Sequence, residues 1–534
     1  MPSPTPIAPA SNEARIMRMP REQRPKPTAK YLLKKLAQCL GLASLMLVMN
    51  YGDLLGGGSD VRMHVPFALA HIAWAQLLGI IVLGGALFVV LAPLSQTAIY
   101  PWVKLVLAML APPYLIWRMQ DLMPFVEENG LVPIFFAVWC AFIVFLLTRY
   151  KRFYSNVMKL GDVIGVFLFV FALCSAGQLL WVMKWRPGIY QRNATWENAA
   201  QTPRAHKKLV WIIFDELSYD QVFEHRAHGL GLPHFDELRN ESTVFTDAQP
   251  IGYKTVRIIP SLLTGKVVDD YRFNMDNSFV VHYAGEHGWQ PVRGDNTVFG
   301  DAQRAGWRTA AVGWYNPYCT IYGDAIDDCY FMNLDRIDGL MSQKDTFVKN
   351  TWSPLEQIVR EIRAPAKADR RGCNYDVKQR MATDMDLEKH WTEVLKTDQA
   401  DFVFLHLSVP HSPNVWSRMK DDYTQFCDSS YLDNLALADR MLGEMLTTLK
   451  SSPRWKDTTM IVEGDHGWRV DLWNWLPSWT DEDDAASREV FDPRPALLIH
   501  QAGQTQAQAV TAPWPLLNVH GVVEQVIHGQ AVSY

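Results

Sequence analysis

The chain carries no P-loop, no dinucleotide-binding glycine fingerprint and no internal repeat, so nucleotide-binding and solenoid readings have no starting point. Cysteine is scarce, seven in 534 residues, which excludes a fold built on dense disulfides. There is no basic excess: 51 Lys and Arg against 56 Asp and Glu leave a net charge of −5. That balance argues against a nucleic-acid partner, which would call for a basic face. The first 30 residues contain no apolar stretch of the kind a cleavable signal peptide needs. Residues 1–30, rich in Pro, Ser and Arg, read instead as a disordered tail. At 49% hydrophobic residues the chain as a whole is not disordered, and at about 150 residues per domain its length suggests two to four units.

Charge is missing most unevenly. Long uncharged runs lie at 36–52, 65–93, 131–148 and 163–183, with a weaker one at 100–117 that includes Lys104 and the pair Pro112-Pro113. A bilayer core of about 30 Å needs roughly 20 mostly apolar residues per helix, so residues 31–185 are predicted to be a five-span transmembrane domain. The flanking charges set its orientation. Arg15, Arg18, Arg21, Arg24, Lys26, Lys30, Lys34 and Lys35 precede the first run, and Arg149, Lys151, Arg152 and Lys159 form a basic loop before the last. Asp121, Glu127 and Glu128 lie between the third and fourth runs. Five spans place both basic segments in the cytoplasm and the acidic loop outside. They also put everything beyond 185 on the periplasmic or extracellular side of an inner (plasma) membrane. Residues 186–206 read as a juxtamembrane linker.

From Lys207 onward, short apolar runs alternate with helical stretches, the pattern of an α/β domain with a central, mainly parallel sheet over 207–534. Predicted strands are 209–214, 308–313, 402–407 and 459–462. Ligands in such sheets gather at the carboxyl ends of strands. There the chain places Asp215-Glu216, then His406 and His411, then Asp465-His466-Gly467. Carboxylates and imidazoles converging on one rim suit a divalent metal (Zn, Mn, Mg or Ca). Each alone has an ordinary explanation, an Asp as a turn or helix cap, His406 as a satisfied core histidine. Their joint placement favours a site.

Four segments, LVWIIFDELSYD, LPHFDELRNESTVFTDAQ, YLDNLALADRMLGEML with DTTMIVEGDHG, and DPRPALLIH, together resemble, in order, the alkaline phosphatase/sulfatase superfamily. Sulfatases carry a Cys or Ser, then x-P-x-R, ending in L-T-G. Counting back from Leu263-Thr264-Gly265 lands on Thr255, followed by Val256-Arg257-Ile258-Ile259. Threonine cannot become formylglycine, and the sulfate-holding G-K-W-H segment appears as Gly313-Trp314-Tyr315-Asn316. Both departures weigh against sulfate-ester hydrolysis. They resemble another branch, the five-span phosphoethanolamine transferases and lipoteichoic acid synthases, whose metal-bound Thr takes a head group from a phospholipid. The His406-Leu407-Ser408-Val409-Pro410-His411-Ser412-Pro413 segment is similar to the transferases' H-x4-H-x-P. The transferases' G-E-T after the first strand is here Phe214-Asp215-Glu216-Leu217, and no further His follows closely on His466.

The resemblance implies Thr255 as nucleophile, with a metal held by Asp215, Glu216, Thr255, Asp465 and His466. Lys254 and Arg257 would stabilise the transferred phosphate, although a solvent-facing turn explains them equally well. His411, with His406 second, would bind that phosphate or protonate the leaving group. It also implies a membrane phospholipid as donor and an envelope glycan or lipid as acceptor; no protein partner is evident. Two alternatives stay open: a sulfate- or phosphate-ester hydrolase, and a catalytically silent membrane sensor or assembly partner. Cys319–Cys329 and Cys373–Cys427 are the preferred disulfide pairing on loop length, with free thiols as the alternative. Trp473, Trp475 and Trp479 suit packing, a sugar, or the headgroup layer. The acidic run 481–484 reads as a solvated loop.

Overall fold

The computed structural model describes residues 28–48, 69–118, 132–185, 207–273, 278–332, 348, 351–352, 370–487 and 492–534. Most of the predicted tail, the acidic loop with Asp121, Glu127 and Glu128, and the linker 186–206 lie outside the described residues. The chain divides into two compact units.

In the first unit a helix covers the described part of each predicted apolar run: α1 (Ala29–Val48), α2 (Leu69–Leu94), α3 (Tyr100–Arg118), α4 (Val132–Arg149) and α5 (Lys151–Trp185). Among the described residues, two stretches are long and apolar enough to cross a membrane, Ala73–Leu94 and Val163–Trp181. Their large apolar side chains point outward, Val89 70% and Phe167 68% exposed, which a water-facing surface would not tolerate in such number. α1 lies close against α5 at Gly41, where a Cβ would come within 2.6 Å of the Leu168 backbone. Small residues let helices approach in this way. α3 and α4 share a cluster of Leu105, Ile143, Leu146 and Leu147, and the Trp139 indole donates to the Ala108 carbonyl at 2.8 Å. The basic segment predicted as a loop is not one. Lys151, Arg152 and Lys159 belong to α5, a 35-residue helix. No Pro or Gly interrupts 151–160, so the helix starts early and extends about 50 Å, well beyond one bilayer core.

The second unit is a three-layer α/β domain. Its sheet has eight strands: β1 (Lys208–Phe214), β2 (Thr243–Phe245), β3 (Thr309–Trp314), β4 (Asp328–Met332), β5 (Phe402–Leu407), β6 (Thr458–Gly464), β7 (Leu497–His500) and β8 (Gln508–Val510). Their order is β8-β2-β7-β6-β1-β5-β3-β4, and only β7 runs against its neighbours. The four predicted strands match β1, β3, β5 and β6 within a residue or two. They were readable because strands covered on both faces are continuous apolar runs. β1 is buried along its whole length.

Alternation along β1 divides the core. Leu209, Trp211 and Ile213 face a layer containing α6 (Thr255–Thr264), α7 (Val298–Arg304) and α8 (Val519–Ile527). Val210, Ile212 and Phe214 face α9 (Arg370–Thr397) and α10 (Tyr431–Ser451). α10 begins with a capping box in which Ser430 and Asp433 satisfy each other's backbone amides. Both preferred disulfides are present, Cys319–Cys329 and Cys373–Cys427.

The acidic run is structured rather than a solvated loop: a helix spans Asp481–Ser487. Thr480 and Asp483 exchange cap hydrogen bonds at 3.0 and 3.1 Å, and the buried Asp483 accepts from the Tyr431 amide at 2.7 Å. Carboxylates crowd the start of this helix because that end favours negative charge.

Candidate active site

Three neighbouring central strands, β5, β1 and β6, deliver their carboxyl ends to one rim. Asp215 follows β1, His406 lies near the end of β5 and Asp465 follows β6. One ligand atom from each lies within 4.8 Å of the other two, and all three residues are fully buried. Thr255 opens α6 on the neighbouring layer. Its hydroxyl donates to Asp465 Oδ2 at 2.7 Å and lies 3.4 Å from His466 Nε2. That ring is oriented by its Nδ1–H, which donates to the Gly467 carbonyl at 2.9 Å. Its Nε2 thereby faces Asp465 at 3.2 Å and Asp215 at 3.6 Å.

Electrostatics set the two carboxylates apart. Burial pushes the Asp215 carboxyl well above the usual carboxylate range, and the nearby Asp465 charge adds to the effect. Burial acts on Asp465 in the same direction, but His466, His406, Arg469 and the Thr255 hydroxyl outweigh it and hold that group low. Burial lowers His406 to about 4, so its imidazole is neutral near pH 7. His406 Nδ1 is hydrogen-bonded to the buried Tyr318 hydroxyl at 2.7 Å. That contact leaves Nε2 directed toward Asp215 at 3.8 Å.

Two buried atoms in this group, Asp215 Oδ1 and His406 Nε2, have no hydrogen-bond partner among the described residues. Buried polar atoms are rarely left so. Two carboxylates and an imidazole lone pair turned toward one another are the donor set of a divalent cation, and the residues fit one.

Other predicted site residues fall into two groups. His411 is tied to the cluster, its amide donating to the Asp215 carbonyl at 3.1 Å. Its ring stands edge-on to Trp314 and Trp473, with centroids 5.2 and 5.0 Å away. Burial, with Arg469 and Arg380 nearby, drives the His411 imidazole well below its ordinary value. Its Nδ1 is hydrogen-bonded to the Ser412 carbonyl. A lowered pKa favours the neutral ring, whose Nε2 is then an acceptor.

Glu216 sits in a left-handed backbone conformation, φ 68°. That turn sends its amide to Asp465 Oδ1 (3.1 Å) and its carboxylate to Arg469 Nε (2.5 Å) and the Trp473 indole (2.9 and 3.0 Å). Lys254 stands at the N-cap position of α6, exposed and making no side-chain cap hydrogen bond, and Arg257 is 3.8 Å from Asp270. Of the tryptophans, Trp479 stacks on Trp468, Trp473 bonds Glu216, and Trp475 is 72% exposed.

Sequence reasoning missed Arg469, Arg380, Tyr318 and Asp384. Arg380, on α9, lies over the Trp314 ring at 4.0 Å and donates to the Ser412 carbonyl at 2.9 Å, bracing the loop that carries His411. Asp384, one turn further along α9, accepts from the Ser408 hydroxyl of the same loop. Nothing in the spacing of a helix 30 residues upstream signals those contacts. Arg469 left a faint signal, a single cation four residues after Asp465.

Compared with known proteins, residues 207–494, more than half of the chain, match the family model described as Sulfatase. No curated protein matches the chain. Among solved structures, similar ones include the phosphonate monoester hydrolase of Agrobacterium radiobacter, 13% identical over 60% of this chain and 74% of that one, TM-score 0.37. Another is the PsFucS1 sulfatase from a Pseudoalteromonas species, 13% identical over 64% and 73%, TM-score 0.41. A third is an alkaline phosphatase superfamily protein from Vibrio parahaemolyticus, 18% identical over 64% and 67%, TM-score 0.34.

Proposed function

The chain belongs to the sulfatase family, and we propose that it is a metal-dependent phosphoryl-group transferase working through Thr255. One observation carries the reading: the Thr255 hydroxyl lies 2.7 Å from Asp465 Oδ2, beside two buried ligand atoms that lack partners. Asp215, His406 and Asp465 would hold the metal, with His466 and Thr255 adjoining. When bound, a divalent ion supplies Lewis acidity, lowering the pKa of a hydroxyl and neutralising phosphoryl oxygens.

The chain's own residues do the rest. Thr255 Oγ attacks phosphorus, its proton passing toward the Asp465 carboxylate to which it already donates. The P–O bond to the leaving alcohol breaks, and that oxygen takes up one proton in place of the one Thr255 gave up, so this half consumes no net proton. The Thr–O–P ester is then opened by an acceptor hydroxyl, and Thr255 regains its proton. His411, neutral and with Nδ1 engaged, suits accepting the acceptor's proton in this second half. Its place between Trp314 and Trp473 keeps the ring orientation fixed.

We take the donor to be a membrane phospholipid carrying phosphoethanolamine or phosphoglycerol, and the acceptor an envelope glycan or lipid. The two helices able to cross a bilayer support a lipid donor, since anchorage raises the effective concentration of a bilayer-bound substrate. We read all five helices α1 to α5 as spans, with the second unit on the periplasmic or extracellular side. Family membership equally favours a second reading, hydrolysis of a phosphate or sulfate ester with water as acceptor. Threonine in place of a formylglycine precursor weighs against the sulfate form.

The test is turnover of a phosphodiester substrate with Mn²⁺ or Zn²⁺. Thr255→Ala is expected to lose about a thousandfold or more in kcat, as removal of a nucleophile does. Asp465→Ala is expected to lose bound metal by elemental analysis. Equal turnover by wild type and Thr255→Ala would refute the nucleophile.

A further inference from the structure

The Glu216–Arg469 pair has no part in that scheme, yet it lies against it. Glu216 is fully buried and Arg469 nearly so. Every carboxylate oxygen of Glu216 is engaged: Oε1 accepts from Arg469 Nε and the Trp473 indole, Oε2 from the same indole. Its left-handed backbone holds it there, a conformation that is costly for a non-glycine residue and persists only where the surroundings enforce it. The Glu216 carboxylate is thereby engaged by Arg469 and Trp473 and is not one of the clustered ligands Asp215, His406 and Asp465.

Arg469 is pinned at three sides. Nε is bound to Glu216, Nη1 donates at 3.2 Å to the carbonyl of Tyr253, two residues before Thr255, and the Tyr253 and Trp473 rings flank the guanidinium at 5.8 and 5.6 Å. Among the described residues Nη2 has no hydrogen-bond partner. The charge also acts directly on Asp215, Asp465 and His411. A guanidinium is always charged, and its planar fork matches tetrahedral oxyanions.

Charge counting gives the pair its meaning. Asp215 and Asp465 balance one divalent ion, while Glu216 balances Arg469 internally. Among the described residues the ligand cluster holds no third carboxylate, and the Arg469 guanidinium adds a fixed positive charge beside it.

We propose that Arg469, clamped by Glu216, is the anion-binding residue of this site, receiving a tetrahedral oxyanion such as a phosphoryl group beside a single metal ion. Glu216 is then a positioning residue for Arg469 and not a metal ligand. The inference rests on the Asp215–His406–Asp465 site proposed above, but not on Thr255 turning over.

The test uses the full chain in detergent, loaded with Mn²⁺ or Zn²⁺. Metal content is read by elemental analysis and inorganic phosphate affinity by calorimetry, neither of which needs turnover. Glu216→Gln and Arg469→Met are expected to keep the wild-type metal content. Arg469→Met is expected to weaken phosphate binding about tenfold or more, the loss of a charged hydrogen bond, with Arg469→Lys intermediate. Because Arg469→Met strands a buried carboxylate at a cost to folding, the Glu216→Gln/Arg469→Met double variant, which removes both charges, carries the same expectation. Loss of metal in Glu216→Gln would overturn the inference, as would wild-type phosphate affinity in the folded double variant. If Thr255→Ala turned over normally while these binding results held, the proposed reaction would fail and the oxyanion site would stand.

Discussion

At the scale of single residues, the chemistry divides by how far each contact reaches along the chain. Asp215 and Asp465 were legible because each directly follows an apolar strand, with His466 next to Asp465, and such positions meet at one rim in a parallel sheet. Thr255 was legible by its distance from Leu263-Thr264-Gly265. Arg380 and Asp384 were not, since they act on the His411 loop from a helix whose approach is set by packing. Asp384 also carries a pH consequence. Burial lifts its carboxyl from the ordinary 3.8 to about 7 despite Arg380 and Ser408. Folding therefore binds a proton between those two values. The stability this group contributes is full below 3.8 and is lost as the pH rises to about 7. The span corresponds to roughly 4 kcal/mol at most. Thermal unfolding of the full chain should decline across that window in wild type and decline less in Asp384→Asn; identical profiles would show that Asp384 does not titrate there.

Among elements, the covered central strands were the easiest to read and the sheet's far edge the hardest. β1, β5 and β6 are uninterrupted apolar runs, whereas β2 and β8 are three residues each, too short to carry a pattern. The reversal of β7 depends on its pairing with β6 and β2, which no local feature announces. α5 shows the converse error: charge suggested a loop where nothing breaks a helix. The two disulfides tie down elements flanking the site. Cys373–Cys427 closes 54 residues and Cys319–Cys329 closes ten. On loop entropy the first is worth about 4 kcal/mol and the second about 3 kcal/mol. Replacing Cys373 and Cys427 by Ser should therefore lower the unfolding midpoint more than replacing Cys319 and Cys329. The reverse order would mean that native contacts, not loop closure, set their value.

For the whole molecule, the uneven distribution of charge along the sequence follows the division of the chain into two compact units. The proposed topology makes a simple expectation for reporter fusions in a bacterial host. A green fluorescent protein joined after Lys159 should fluoresce, being cytoplasmic, while one exported through the membrane after Tyr534 should stay dark. Fluorescence at both would remove the periplasmic or extracellular placement and with it the envelope acceptor. The account's central claim is narrower than topology: the phosphoryl group passes through Thr255. Its most direct test is mass spectrometry of the peptide containing Thr255 after incubating the full chain with labelled phospholipid and Mn²⁺ or Zn²⁺. The expected result is a labelled phosphate ester on Thr255, absent when metal is chelated. A contradictory result is labelled product formed with Thr255 unmodified throughout and with undiminished turnover in Thr255→Ala.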